Sequence, residues 1–171
     1  MPAITLKDLL RHGLGEMFDA QRQFLPLLDR MEVDIREDSF RARIRRHREE
    51  TLNQIDNLQR CFDLLGTDAP GIECAAARGL AADVRGFRSQ TAEPWAIEVY
   101  GLEAVARLEA FELAGLGALA NYATATRHDD VLRLLRHNLA ETQRMADWIA
   151  DARTALLHRL ETRGGVPSIA R

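Results

Sequence analysis

The sequence predicts an all-α protein, a four-helix bundle with a long crossover in its middle. Three observations carry that reading. Apolar residues recur with helical spacing over almost the whole chain, no segment alternates with a period of two, and the helical stretches fall into two long pairs separated by a shorter, glycine- and proline-punctuated region. At 171 residues the chain suits one domain with a full core. The bundle is expected over residues 1–162, with 163–171 as a flexible tail.

The first helix starts at Thr5-Leu6-Lys7-Asp8, where Thr5 can cap and an acid follows three residues on. Leu6, Leu10, Leu14, Met17, Gln21, Phe24 and Leu28 then share one face, and Pro26 is expected to kink the helix near its end. The second begins at Asp38 or Ser39 and is expected to bury Phe40, Ile44, His47, Thr51, Ile55, Leu58, Phe62 and Leu65, with Gly66 as its stop. Residues 67–94 hold shorter patterns broken by Pro70, Gly71, Gly79, Gly86 and Pro94, so they read as a crossover with one short helix over about 73–86. The third long helix starts at Glu93-Pro94-Trp95, proline being suited to a first turn, and its alanines and glycines let neighbours approach closely. It ends near Ala125. His128, Asp129 and Asp130 open the fourth, which buries Leu135, Asn138, Thr142, Met145, Ile149 and Leu156 and stops at Arg163-Gly164-Gly165. Two long helices, a crossover and two more is the connectivity of ferritin-like bundles.

Composition excludes several functions. A net charge of −3 with 29% charged residues calls for neither nucleic acid nor an anionic membrane as partner. The arginine run RARIRRHR at 41–48 lacks interleaved aromatics and reads as a solvated face paired with neighbouring acids. Cys61 and Cys74 have no zinc spacing and read as reduced thiols of a cytoplasmic protein, with a single bridge as the alternative. No segment has the apolar length of a membrane span or a signal peptide. Met17, Met31 and Met145 read as core filler, and Trp95 and Trp148 as packing anchors or dimer contacts.

The polar residues on the apolar faces carry the functional question. The first helix offers Gln21; the second His47, Glu50 and Gln54; the third Glu109 and Glu112; the fourth Glu141. Acids from several helices at one depth, with imidazole nearby, are what a carboxylate-bridged two-metal centre requires, and iron or manganese suits such donors. RHREET (46–51) and RHNLAET (136–142) echo one another, as a duplicated helix pair would. The alternative is structural: each glutamate can pair with an arginine, Gln21 can hydrogen-bond across the bundle, and His47 can be a satisfied core-edge residue.

Five stretches, in order, are similar to the bacterial YciE/YciF-type ferritin-like proteins: TLKDLLRHGLGEMFDAQRQF, HREETLNQIDNLQRCFDLLG, Cys74-x4-Gly79-Leu80-x2-Asp83, RLEAFELAGLGAL and LAETQRMADWI, spanning roughly residues 4–160. The resemblance implies a ferritin-like bundle with a short extra helix, commonly dimeric, bacterial and tied to stress responses, and a possible two-metal carboxylate site. The chain departs from the pattern where the family has a first-helix glutamate (here Gln21), a third-helix histidine (Ala110) and further fourth-helix acids (Thr142 and Ala146). Glu50, Glu112 and Glu141 survive, with His47, Gln54 and Glu109 nearby. A glutamine removes one negative charge and one bridging mode, so the expected site is degenerate: one or two weakly held iron or manganese ions, or none. Two functions follow. One is a metal-handling or redox protein using Glu50, Glu112 and Glu141 with His47. The other is a non-catalytic bundle that forms a homodimer or binds an unknown protein partner.

Overall fold

The computed structural model describes residues 4–162, so the expected tail at 163–171 lies outside the described residues. Five helices follow one another: α1 (Leu6–Asp34), α2 (Asp38–Leu64), α3 (Ala75–Gln90), α4 (Pro94–Ala125) and α5 (Asp129–Thr162). No strand occurs among the described residues. The four long helices close into a ring, α1 against α2 and α4, and α5 against α2 and α4, while α3 lies outside it on α1 and α4 alone. The crossover returns the chain to the end of the bundle where α1 stopped, so ring neighbours run antiparallel.

Local chemistry explains the boundaries. The Thr5 hydroxyl accepts from the Asp8 amide at 3.2 Å while the Asp8 carboxylate accepts from the Thr5 amide at 2.9 Å, the expected reciprocal cap. At the start of α2 the cap comes from a distant helix: buried Glu98 of α4 accepts from the amides of Arg36 and Glu37 at 3.3 and 3.5 Å. Gly66 follows α2 at φ +64°, the left-handed geometry a glycine stop supplies. Pro94 occupies the first turn of α4. α1 continues through Pro26 to Asp34.

Some expectations need correction. The crossover helix is longer and later than 73–86, because α3 starts after Cys74 and runs through Gly86 to Gln90, with Ala77 and Ala81 buried against α1 and α4. Leu6 is exposed, Ile55 and Leu65 only half-buried: the first lies before the ring closes, the others at its margin. Cys61 and Cys74 are both buried free thiols, not a bridge. Burial pushes the Cys61 thiol up to about 12, so it stays protonated at any ordinary pH.

Two apolar clusters fill the ring. Leu10, Leu14, Met17, Leu58, Phe62, Leu116 and Leu135 belong to the one near the start of α1. Leu28, Met31, Ile44, Leu102, Val105, Met145 and Ile149 belong to the one near its end. Gly115 leaves room for the Met17 methyl, which a Cβ there, at 2.3 Å, would force to move. Between the clusters the same helix faces turn polar.

Candidate functional site

The polar layer is an outcome of helical spacing. Gln21 sits between Met17 and Phe24 on α1, and His47, Thr51, Gln54 and Leu58 follow one another at i, i+4, i+7, i+11 on the buried face of α2. Glu109 and Glu112 are one turn apart on α4, as are Asn138 and Thr142 on α5. Gln21, Gln54, Asn138 and Thr142 have no measurable exposure, and Glu109, Glu112 and His47 are exposed by 1–3%. Glu50 and Glu141 stand at the rim instead, with side chains 15% and 13% exposed.

Each glutamate meets a different partner. Glu50 turns outward and binds the Arg43 and Arg46 guanidinium groups at 3.0 and 3.1 Å. Glu109 lies 2.8 Å from His47 Nε2. Glu112 accepts a long hydrogen bond from the Thr142 hydroxyl, 3.4 Å. Glu141 accepts from Gln54 Nε2 at 3.2 Å and lies 3.3 Å from the exposed His137 ring. The two glutamines are linked, Gln21 Nε2 donating to Gln54 Oε1 at 2.7 Å. Asn138 extends the network by donating to the Gln54 carbonyl at 3.1 Å and accepting from Asn57 at 2.8 Å.

The electrostatics follow from these contacts. Burial alone would drive the His47 imidazole toward its neutral form, but the charge and hydrogen bond of Glu109, helped by Glu50 and Glu112, outweigh it and hold the pKa at about 9. Glu112 moves the other way for a carboxyl: burial first and the Glu109 charge second raise it to about 8, against His47, Gln21 and Thr142. Glu50 also pays for desolvation, yet His47 and the Arg43 charge bring it down to about 2. These contacts favour the charged form of the His47 imidazole and the neutral form of the Glu112 carboxyl. Gln21 Oε1, His47 Nδ1 and Glu109 Oε2 are buried there without a hydrogen-bond partner.

The residues singled out by sequence thus fall into three groups. Gln21, Gln54 and Glu141 form one hydrogen-bonded chain, His47 and Glu109 form an ion pair beside Glu112, and Glu50 joins the arginine face to that pair, 3.7 Å from His47 Nδ1. Asn57 was not foreseen as a participant; Arg43, from the run expected to pair with neighbouring acids, takes Glu50. Arg41, Arg45 and Arg48 of the same run pair with Asp38, Glu32 and Asp29, as expected for a solvated face. Trp148 packs edge-on against Phe40, with centroids 5.4 Å apart.

The donor set does not fit a two-ion carboxylate centre. Among the described residues no group of three or more His, Cys, Asp or Glu side chains is disposed to hold a metal. Two positions are neutral amides bound to each other, and the four glutamates are engaged by Arg43 and Arg46, His47, Thr142 and Gln54.

A helical ring with a long crossover and a polar layer in its middle defines a ferritin-like four-helix bundle. The family model DUF892, described as a domain of unknown function, matches residues 5–160, and the chain belongs to that family. Among solved structures, YcfI of Rhodopseudomonas palustris, a proposed structural protein, is similar at 28% identity and TM-score 0.83, with 87% of this chain and 95% of that one covered. The Escherichia coli stress protein YciF superposes with TM-score 0.86 at 20% identity, covering 91% and 99%. A Xanthomonas campestris protein does so with TM-score 0.75 at 20% identity, covering 95% and 100%. No curated protein matches significantly. No helix among the described residues is long and apolar enough to cross a membrane.

Proposed function

We propose that this protein is a non-catalytic helical bundle with a structural or interaction role, in which each inner glutamate is held by a protein group rather than by metal. The observation that carries this reading is that each inner glutamate already has a protein partner: arginines for Glu50, His47 for Glu109, the Thr142 hydroxyl for Glu112, an amide for Glu141. Paired this way, the layer fixes helix register, since each pair meets at one axial position only. The structural role proposed for the similar YcfI accords with it. We place the interaction surface on α1 and α4, where exposed Leu9 lines a hollow with Gly13, Ala114, Gly115 and Ala118, and assign it to a homodimer contact.

A second reading rests on the two orphaned acceptors, Gln21 Oε1 and Glu109 Oε2. A single weakly held iron or manganese ion, with Glu112, Glu109 and His47 near it and Glu50 and Glu141 drawn in from the rim, would give them a cation.

Metal analysis by mass spectrometry after reconstitution with Fe(II) or Mn(II) separates the two. The metal-free reading expects far less than one ion per chain and a melting temperature that does not respond to metal. Gln21→Glu, which returns a carboxylate to α1, should lower stability without metal and recover part of it with Mn(II). About one ion per wild-type chain, lost in Glu112→Ala, would overturn the metal-free reading. Light scattering that gives a monomer at all concentrations would remove the dimer contact.

A further inference from the structure

Outside the ring, α3 leaves a cavity of about 290 Å³ against α1 and α4. Its cause is legible in α3 itself. Ala77 and Ala81 let the first half of the helix approach α1 and α4 closely, whereas Val84, Phe87 and Arg88 hold the second half away. Phe87 stacks on Tyr100 of α4 with centroids 3.8 Å apart and planes at 11°, and the Arg107 guanidinium lies 5.0 Å from the Tyr100 ring, so that wall is braced. Gly101 forms part of the floor, where a Cβ would press on the Met31 methyl at 3.3 Å. Pro26, Leu27, Met31, Ile35 and Ile97 complete an apolar lining. The space is roughly twice that of a ~150 Å³ cavity able to take benzene, and it is close to the lower size of ordinary ligand pockets, ~300 Å³.

The mouth has the opposite character. Arg30, Arg85 and Arg88 stand there with one carboxylate, Asp34. Asp34 is half-enclosed and already shared: Arg88 binds it through Nε and Nη2, both at 2.9 Å, and Arg30 reaches it at 3.3 Å. Arg85 is exposed and has no ion-pair partner among the described residues. A shallower hollow adjoins the mouth, ringed by Arg85, Arg88, Ser89 and Thr91 and sharing Ile97 with the cavity. An apolar chamber that opens into a cationic, hydroxyl-bearing cradle is built for an amphipathic anion. A single negative charge suits it best, because a second would face the fixed Asp34 carboxylate.

We propose that the α1–α3–α4 cavity binds an apolar monocarboxylate, with the hydrocarbon part against Met31, Ile97 and the Phe87–Tyr100 stack and the carboxylate on Arg85 beside Arg88. The proposal is independent of how the inner polar layer is satisfied. A preformed, mostly apolar chamber takes up apolar groups, and the arginine supplies a charge-assisted hydrogen bond that fixes orientation.

Isothermal titration calorimetry of the full chain with sodium decanoate, below its micellar range, tests it. Saturable binding at one site is expected, weakened about tenfold in Arg85→Ala, the loss typical of one charge-assisted hydrogen bond. Ile97→Trp fills the chamber and should abolish binding; Val84→Phe, which narrows it from α3, gives a second test should the first variant lose its helical circular dichroism. Decyltrimethylammonium, with the same chain and opposite charge, should not bind. Absence of decanoate binding at millimolar concentration would overturn the proposal. So would equal binding of the cation, or full binding retained by a folded chamber-filling variant.

Discussion

The apolar clusters and the polar layer between them are built from the same four helices, yet they specify the fold in different ways. In the clusters, contact is non-directional: Leu14, Phe62 and Leu116 stabilise by leaving water and filling space, and another residue of similar volume would serve. In the layer, Gln21 needs Gln54, and His47 needs Glu109, at hydrogen-bond distance and at one height along the bundle. The clusters supply most of the stability. The layer contributes less net energy, because desolvation offsets most of what its contacts return, but any slip of one helix leaves charges and amides unpaired. The comparison teaches that apolar contacts fill space, whereas each buried ionisable residue depends on the particular partner it finds.

Breaking each region should give distinct signatures. Phe62→Ala, in the apolar cluster, should cost the most, about 3–5 kcal/mol in chemical denaturation, with little dependence on pH. Glu109→Ala strips the buried imidazolium of its counter-charge and should cost on the order of 3 kcal/mol. Removing both partners, as His47→Leu with Glu109→Met, should return much of that loss, which no second substitution would do for Phe62.

The layer should also give the protein a pH dependence that the clusters cannot. His47 has a folded pKa raised from 6.5 to about 9, so its contribution is full below pH 6.5 and disappears as pH rises through 9. Glu112, raised from 4.5 to about 8, acts in the same direction over pH 4.5 to 8. Glu50, lowered from 4.5 to about 2, contributes above pH 4.5 and is lost as pH falls toward 2. Urea midpoints should therefore decline from pH 5.5 through 7 to 9, and His47→Leu together with Glu112→Gln should flatten the decline. A midpoint that rises over this range would contradict the assigned protonation states. The smallest effect belongs to the rim: Arg46→Ala should change stability by less than about 0.5 kcal/mol, because that side chain is mostly exposed and Arg43 still holds Glu50.

Much of the fold was open to reading because its signals are local. The Thr5–Asp8 cap, Gly66 and Pro94 act within a few residues of where they stand, and the buried face of α5 follows from periodicity alone. The extent of α3 was not readable. Gly86 looked like its end, but with no side chain near a Cβ there and tertiary contact on both sides, the helix runs on. In the candidate site, spacing put Gln21, His47, Gln54, Glu109 and Glu112 on buried helix faces, where the structure has them. It could not separate them from Glu50 and Glu141, because three or four residues along a helix define a face only to within its width, and the rim of that face is set by the neighbouring helix.

By itself, then, the amino-acid sequence determined the helices, their ends, the apolar faces and the set of polar residues that must be buried with them, since each depends on backbone chemistry and on 3.6-residue periodicity. Only the tertiary structure decided which carboxylate received an arginine, which an imidazole and which a hydroxyl. Those choices turn on distances of a few ångströms between helices far apart in the chain, and in a low-dielectric interior such distances govern whether a charge persists.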